Sequence, residues 1–253
     1  MRRNIAAGNW KMNTSLEEGM QLASEVVNMA TAEVVKDIDI LLIAPFTHLT
    51  SLQKIVGEAK NIFLGAQNCH EADSGAYTGE ISAPMLKAIG VKYVVLGHSE
   101  RREYFAESHA LLASKTDTVL RHGMTPVFCC GEKLEIREQN KHFELVEAQI
   151  RESLFHLSAD QMKKVVIAYE PVWAIGTGVT ASAEQAQEMH AFIRKTIANK
   201  YSQSLADSIS ILYGGSVKAA NANEIFGGAD VDGGLVGGAS LQSREFVEIA
   251  KAF

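Results

Sequence analysis

The apolar positions of the chain fall into two alternating patterns. Short apolar runs, many of them β-branched, occur at 4–8, 38–44, 62–66, 93–96, 126–130, 165–169, 209–213 and 231–236. Each is closed by glycine, proline or a polar residue, as expected of strands buried on both faces. Between them the apolar residues recur at helical spacing. Leu16, Met20, Ala23, Val27 and Ala30 follow at intervals of four and three, which predicts a helix that buries those side chains. Ala186, Met189, Ile193, Ile197 and Tyr201 predict a second amphipathic face. Thr14 with Glu17, Ser15 with Glu18, and Ser182 with Gln185 each fit a capping box. Thr47 is placed to cap a short helix ending near Val56, and Pro84 sits in the first turn of another after Ser82. Further helices are expected from about 108 to 123, as one long stretch from 133 to about 157, within 218–226, and from about 240 to 251.

Eight strand-then-helix units spaced by roughly thirty residues have the size of βαβ repeats. No linker-like tract divides them. The expectation is an α/β protein, a single (β/α)8 barrel of parallel strands that takes in residues 1–253 as one domain. A doubly wound open sheet is the alternative, but the GxGxxG turn that such a fold would place after the first strand is absent.

In a barrel of this kind the chemistry lies where the strands end. Those ends carry Asn9 and Lys11, Gln67 and Asn68, His98, Glu132, Glu170, Gly214-Gly215-Ser216 and Gly237-Gly238. Taken singly, each has a plain explanation: a solvated lysine, one of eight histidines, an ion-pair carboxylate, tight turns. Together they place a cation, an imidazole, a carboxylate and two glycine-rich turns at one end of one architecture. Turns after the seventh and eighth strands can present bare N–H groups to an anion such as phosphate. A carboxylate base, an imidazole and a lysine beside a phosphate suit proton abstraction next to a carbonyl. Glu170 is followed by Pro171, Val172, Trp173, Ala174, Ile175, Gly176, Thr177, Gly178, Val179, Thr180 and Ala181. This loop is stiff at its start and glycine-jointed beyond it, so it could close over a ligand and expel water.

Composition narrows the partners. Apolar residues make up 47% and charged residues 21%, the balance of a globular protein with a sizeable core. A net charge of −6 disfavours nucleic acid and anionic membranes, so attraction for an anion must be local. The three cysteines, 69, 129 and 130, do not make a disulfide framework and suggest a reducing, cytoplasmic setting. Cys129 and Cys130 are adjacent in one strand and should face opposite ways. No zinc-like spacing is present, so no metal site is expected. The N-terminal segment lacks the apolar region of a signal peptide, and no apolar run approaches membrane-spanning length.

GNWKMN (8–13), GHSERR (97–102), YEPVWAIGTG (169–178), YGGSV (213–217) and LVGGASL (235–241) resemble the triosephosphate isomerase family, in order and across the whole chain. The resemblance implies interconversion of dihydroxyacetone phosphate and D-glyceraldehyde 3-phosphate through an enediolate, without a cofactor. It implies Glu170 as the base, and His98 as a neutral electrophile aided by donors at the helix start near Ser99 and Glu100. Lys11 would stabilise the oxyanion and phosphate, and Asn9 would orient substrate. Gly176, Ser216, Gly237 and Gly238 would bind phosphate, Leu235 and Ile175 would give apolar cover, and 171–181 would be the lid. It also implies a homodimer joined through the long 67–80 segment, with Thr78, Gly79 and Glu80 reaching the neighbouring subunit to brace its Asn9 and Lys11. Two positions depart from the family pattern. Val179 stands where lysine is usual in the lid hinge, and Cys130 where a larger aliphatic residue is common.

Overall fold

A computed structural model describes residues 2–57, 59–175 and 180–253. Its eight strands are β1 (Ile5–Asn9), β2 (Asp39–Ala44), β3 (Ile62–Ala66), β4 (Tyr93–Leu96), β5 (Thr125–Glu132), β6 (Val166–Pro171), β7 (Ile211–Tyr213) and β8 (Gly233–Val236). They pair in parallel in sequence order, and β1 returns to β8 through Ile5 opposite Gly233, which closes the barrel. Helices alternate with the strands, so the expected (β/α)8 barrel is the fold observed. Among the described residues no helix is long and apolar enough to cross a membrane.

The strand side chains alternate between two cores. Ile5, Ala7, Leu41, Ile43, Val127 and Leu212 are among those filling the barrel interior. The opposite faces, among them Leu42, Leu64, Leu96, Phe128, Ile167 and Ile211, pack against the helices. Cys129 belongs to the inner set and Cys130 to the outer one, the opposed orientation expected of neighbours in a strand. Gly233 holds a φ of 129° beside the Ile5 carbonyl, where a Cβ would overlap backbone, so glycine is required for β8 to close against β1.

Four local expectations are corrected. In the first helix, Leu16–Glu33, Ser15 and Glu18 form the capping box, while Thr14 lies outside it at a φ of 71°. That helix buries Gly19, Leu22, Ala23, Val26 and Ala30; Leu16 and Met20 are 45% and 39% exposed. The His48 ring of helix Phe46–Val56 occupies the place where a Cβ on Gly19 would lie, and this close approach selects which of two overlapping stripes faces inward. Thr47 caps nothing: its helix begins after Pro45, and its hydroxyl bonds the His48 ring at 2.9 Å. The long stretch predicted after β5 is two helices, Leu134–Glu138 and His142–Leu154, separated where Asn140 takes a φ of 56°. β6 ends at Pro171, opposite Glu132, where a residue without an N–H cannot extend the ladder.

The helix after the lid segment, Ala183–Lys200, carries a fully buried histidine, His190, in edge contact with the Tyr169 ring at 6.0 Å. Burial disfavours its cationic form and pushes its pKa down to about 4. The unfolded chain therefore takes up a proton near pH 6.5 that the folded protein refuses. The stabilisation is complete above that pH and is lost as pH falls toward the folded pKa. Between pH 6.5 and 5 this one residue should cost about 1.5 kcal/mol. Urea unfolding across that range should show the loss in the native chain and a shallower slope in His190→Gln; equal slopes would refute the assignment.

Candidate active site

The strand ends converge on one cavity of about 480 Å³. Asn9, Lys11, His98 and Glu170 line it together with Gly214-Gly215-Ser216 and Gly237-Gly238. Leu235 and Ile175 also line it. Of the strand-end residues singled out from sequence, Gln67, Asn68 and Glu132 do not line this cavity, and neither do the described lid residues other than Ile175. Gly176, Thr177, Gly178 and Val179, in the expected lid and phosphate site, lie outside the described residues.

Lys11 is held unusually. Its φ of 52° is a left-handed conformation that L residues avoid without support. That support is local: its N–H donates to Asn9 Oδ1 at 3.1 Å, and its carbonyl accepts from Gln67 Nε2 at 2.8 Å. The bend aims the side chain across the barrel mouth, where Nζ pairs with Glu100 Oε1 at 2.7 Å. A Cβ placed on Gly237 would sit 3.7 Å from Lys11 Cε, so the cation reaches the glycine-rich end.

His98 caps the short helix Ser99–Tyr104 with its own ring, since Nδ1 accepts the Glu100 N–H at 3.2 Å. An Nδ1 that accepts a backbone proton leaves the ring hydrogen on Nε2, and Nε2 lies 3.1 Å from Glu170 Oε1. Glu170 is buried at the tip of β6. Its Oε2 accepts the Ser99 N–H at 2.9 Å and its Oε1 accepts the Ser99 hydroxyl at 3.0 Å. Ser99 and Glu100 thus hold the carboxylate and the cation. The sequence pointed to them as helix-start donors to His98 but not as partners of Glu170 and Lys11. Cys129 lies inside the barrel beneath them; burial, then the Glu170 charge, push its pKa well up, so it remains a neutral thiol.

The glycine turns differ in what they permit. A Cβ on Gly215 would run into the Tyr213 ring, so that glycine serves packing. A Cβ on Gly238 would meet nothing within 4 Å, so this glycine borders open space at the start of the turn Gly238–Leu241. Backbone that is bare on the cavity side suits an anionic ligand. Lys218 also lines the cavity and was not picked out from sequence, because it lies two residues past the motif that flagged Ser216.

The start of the lid segment is anchored. Val172–Ala174 form a single tight turn. Glu132 Oε1 accepts from Trp173 Nε1 at 2.9 Å, from the Tyr169 hydroxyl at 3.0 Å and from Arg137 at 3.1 Å. The Arg137 guanidinium also lies 5.0 Å from the Trp173 ring centre. Glu132 stood at a strand tip in the sequence with no role attached; two of its three partners, Tyr169 and Trp173, lie about forty residues away, so only the fold reveals it.

A family model described as triosephosphate isomerase matches residues 4–253. The chain is 58% identical to the triosephosphate isomerase of Cytophaga hutchinsonii, 54% to that of Bacteroides fragilis and 52% to that of Porphyromonas gingivalis, each over 253 residues and the full length of both chains. The order of the strand-tip residues, the closed barrel and these matches agree: the chain belongs to the triosephosphate isomerase family.

Proposed function

We propose that Glu170, His98, Lys11 and Asn9 carry out the proton transfers by which this isomerase interconverts dihydroxyacetone phosphate and D-glyceraldehyde 3-phosphate, a step of glycolysis and gluconeogenesis. The observation that carries the assignment is a buried carboxylate 3.1 Å from an imidazole Nε2, in one cavity with a lysine and two glycine turns, of which the one at Gly237-Gly238 borders open space. The phosphate rests on Ser216, Gly237 and Gly238, with Gly176 of the lid as a further donor. The Glu170 carboxylate removes a proton from the carbon beside the carbonyl. His98, as a neutral ring, donates its Nε2 proton to the carbonyl oxygen and recovers one from the neighbouring hydroxyl, so the enediolate moves its charge from one oxygen to the other. Lys11 and Asn9 stabilise that oxyanion. Glu170 then returns its proton to the adjacent carbon, which gives the other isomer. These steps use proton transfer and electrostatic stabilisation alone, so the proposal includes no cofactor.

Glu170 rests on Ser99, so catalysis requires it to leave that site for the substrate. The lid, residues 171–181, closes as it does so and keeps water from the intermediate, with Ile175 and Leu235 as apolar cover.

We further propose that the working unit is a homodimer in the cytoplasm. Residues 73–80 are exposed, and Gly75 and Gly79 hold positive φ values of 145° and 94°, which marks built turns. The His70 ring packs on Tyr77 at 4.2 Å, and the segment closes on itself through a bridge from His70 to Ser82. Large apolar side chains stand exposed on this end of the barrel: Met12, Tyr77, Met85 and Phe105. An isologous pair would cover them, with Thr78, Gly79 and Glu80 inserted beside the partner's Asn9 and Lys11. The three cysteines, all free and buried, are consistent with a reducing compartment.

Glu170→Gln should lower turnover by at least ~10²–10⁴ with the fold intact, measured in a coupled assay. A folded variant of near-normal activity would sink the role of this residue. Removing 174–178 should let the enediolate escape and eliminate phosphate, with methylglyoxal as the product to quantify; a slower enzyme without extra methylglyoxal would speak against sequestration. Thr78→Asp should lower assembly and activity together. Sedimentation that finds a fully active monomer would refute the coupling.

A further inference from the structure

A second cavity, of about 590 Å³, lies beside the substrate cavity and shares a wall with it. It opens between helices Ser99–Tyr104, Leu134–Glu138 and His142–Leu154 and the first turn of the lid segment. Its walls are largely apolar: Tyr104, Leu134, Ile136, Leu145, Val172 and Trp173. A volume and lining of this kind suit a small organic molecule.

The polar groups on these walls define its chemistry. Lys133 is paired with Glu103, and Glu100 with Lys11. The Gln149 amide is used at both ends by the Gly131 backbone. Arg102 differs. Its Nε donates to the Gly97 carbonyl at 2.8 Å and its Nη2 to the Cys129 carbonyl at 2.9 Å. Among the described residues, Nη1 has no hydrogen-bond partner and no carboxylate lies within ion-pair distance of the guanidinium. One strong donor is therefore left for a ligand. A carboxylate ligand would face Glu170, which lines the same cavity, in a protein whose net charge is −6. An uncharged carbonyl acceptor avoids that repulsion.

Glu170 and Ile175 line both cavities. On the reading of Glu170 as the base, this residue must leave Ser99 for the substrate. A molecule packed on Val172 and Trp173 holds the lid's first turn on Glu132 and keeps Glu170 where it rests. We propose that this second cavity binds a small uncharged aromatic amide, its carbonyl on Arg102 and its ring against Trp173 and Ile136, and that its occupancy inhibits the enzyme without filling the substrate site.

Acetanilide, one ring and one amide, is the probe. At about 10 mM, above the millimolar dissociation constant that so few atoms permit, it should lower kcat severalfold with KM changed less than about twofold. Inorganic phosphate should raise KM instead, and the two should bind together. Mutually exclusive inhibition would overturn the proposal, because acetanilide would then occupy the substrate cavity. Ile136→Trp and Leu134→Trp, which fill the second cavity from different helices, should keep turnover and lose the inhibition; a folded variant of either that is fully inhibited would also overturn it. Independently of turnover, acetanilide should saturably shift Trp173 emission in the native protein and in Glu170→Gln, and its absence would refute binding. If Glu170→Gln proved active while the emission still titrated, the assignment of the base would fail and the cavity would stand.

Discussion

Closure of the sheet is the constraint on which everything else rests. A parallel strand needs a partner on each side to satisfy its backbone groups, and pairing β1 to β8 removes both edges. Because all eight strands run the same way, their C-terminal ends must share one rim. Asn9, His98, Glu170 and Gly237 are far apart in sequence, and this single topological fact makes them neighbours. The closure has its own local requirement at Gly233, where β8 passes too near β1 for any side chain.

A rim of this kind must hold charged groups in a partly dry place, and the structure does so by pairing each with a neighbour that can release it. Glu170 lies on the N–H and hydroxyl of Ser99, and Lys11 lies on Glu100. Both partners sit in the first turn of one short helix, immediately after His98, whose ring caps that helix. The positions of Glu170, Lys11 and His98 are thus set by consecutive residues of one turn. A further layer of contacts lies outside these, where Gln67 fixes the Lys11 backbone and Glu132 gathers Tyr169, Trp173 and Arg137.

The sequence by itself determined the eight-unit order, because continuous apolar runs and helical stripes are local patterns that sterics and burial impose residue by residue. It also placed the candidate residues on one rim, because in a closed parallel barrel a strand's end is a position in space as well as in sequence. Glu170, His98 and Lys11 could be singled out for that reason, as could the glycines whose missing side chains leave backbone bare. Tertiary structure decided the rest. Which face of Leu16–Glu33 turns inward depends on the fit of His48 against Gly19, a contact between helices that no periodicity encodes. The break at Asn140 is a left-handed residue that composition does not announce. The partners of Glu170, Lys11 and Glu132 follow from distances across strands, and a hydrogen bond between residues 71 or 89 positions apart leaves no trace in local sequence. The cavity beside Arg102 belongs to the same class, since empty space between three helices exists only once the helices have packed.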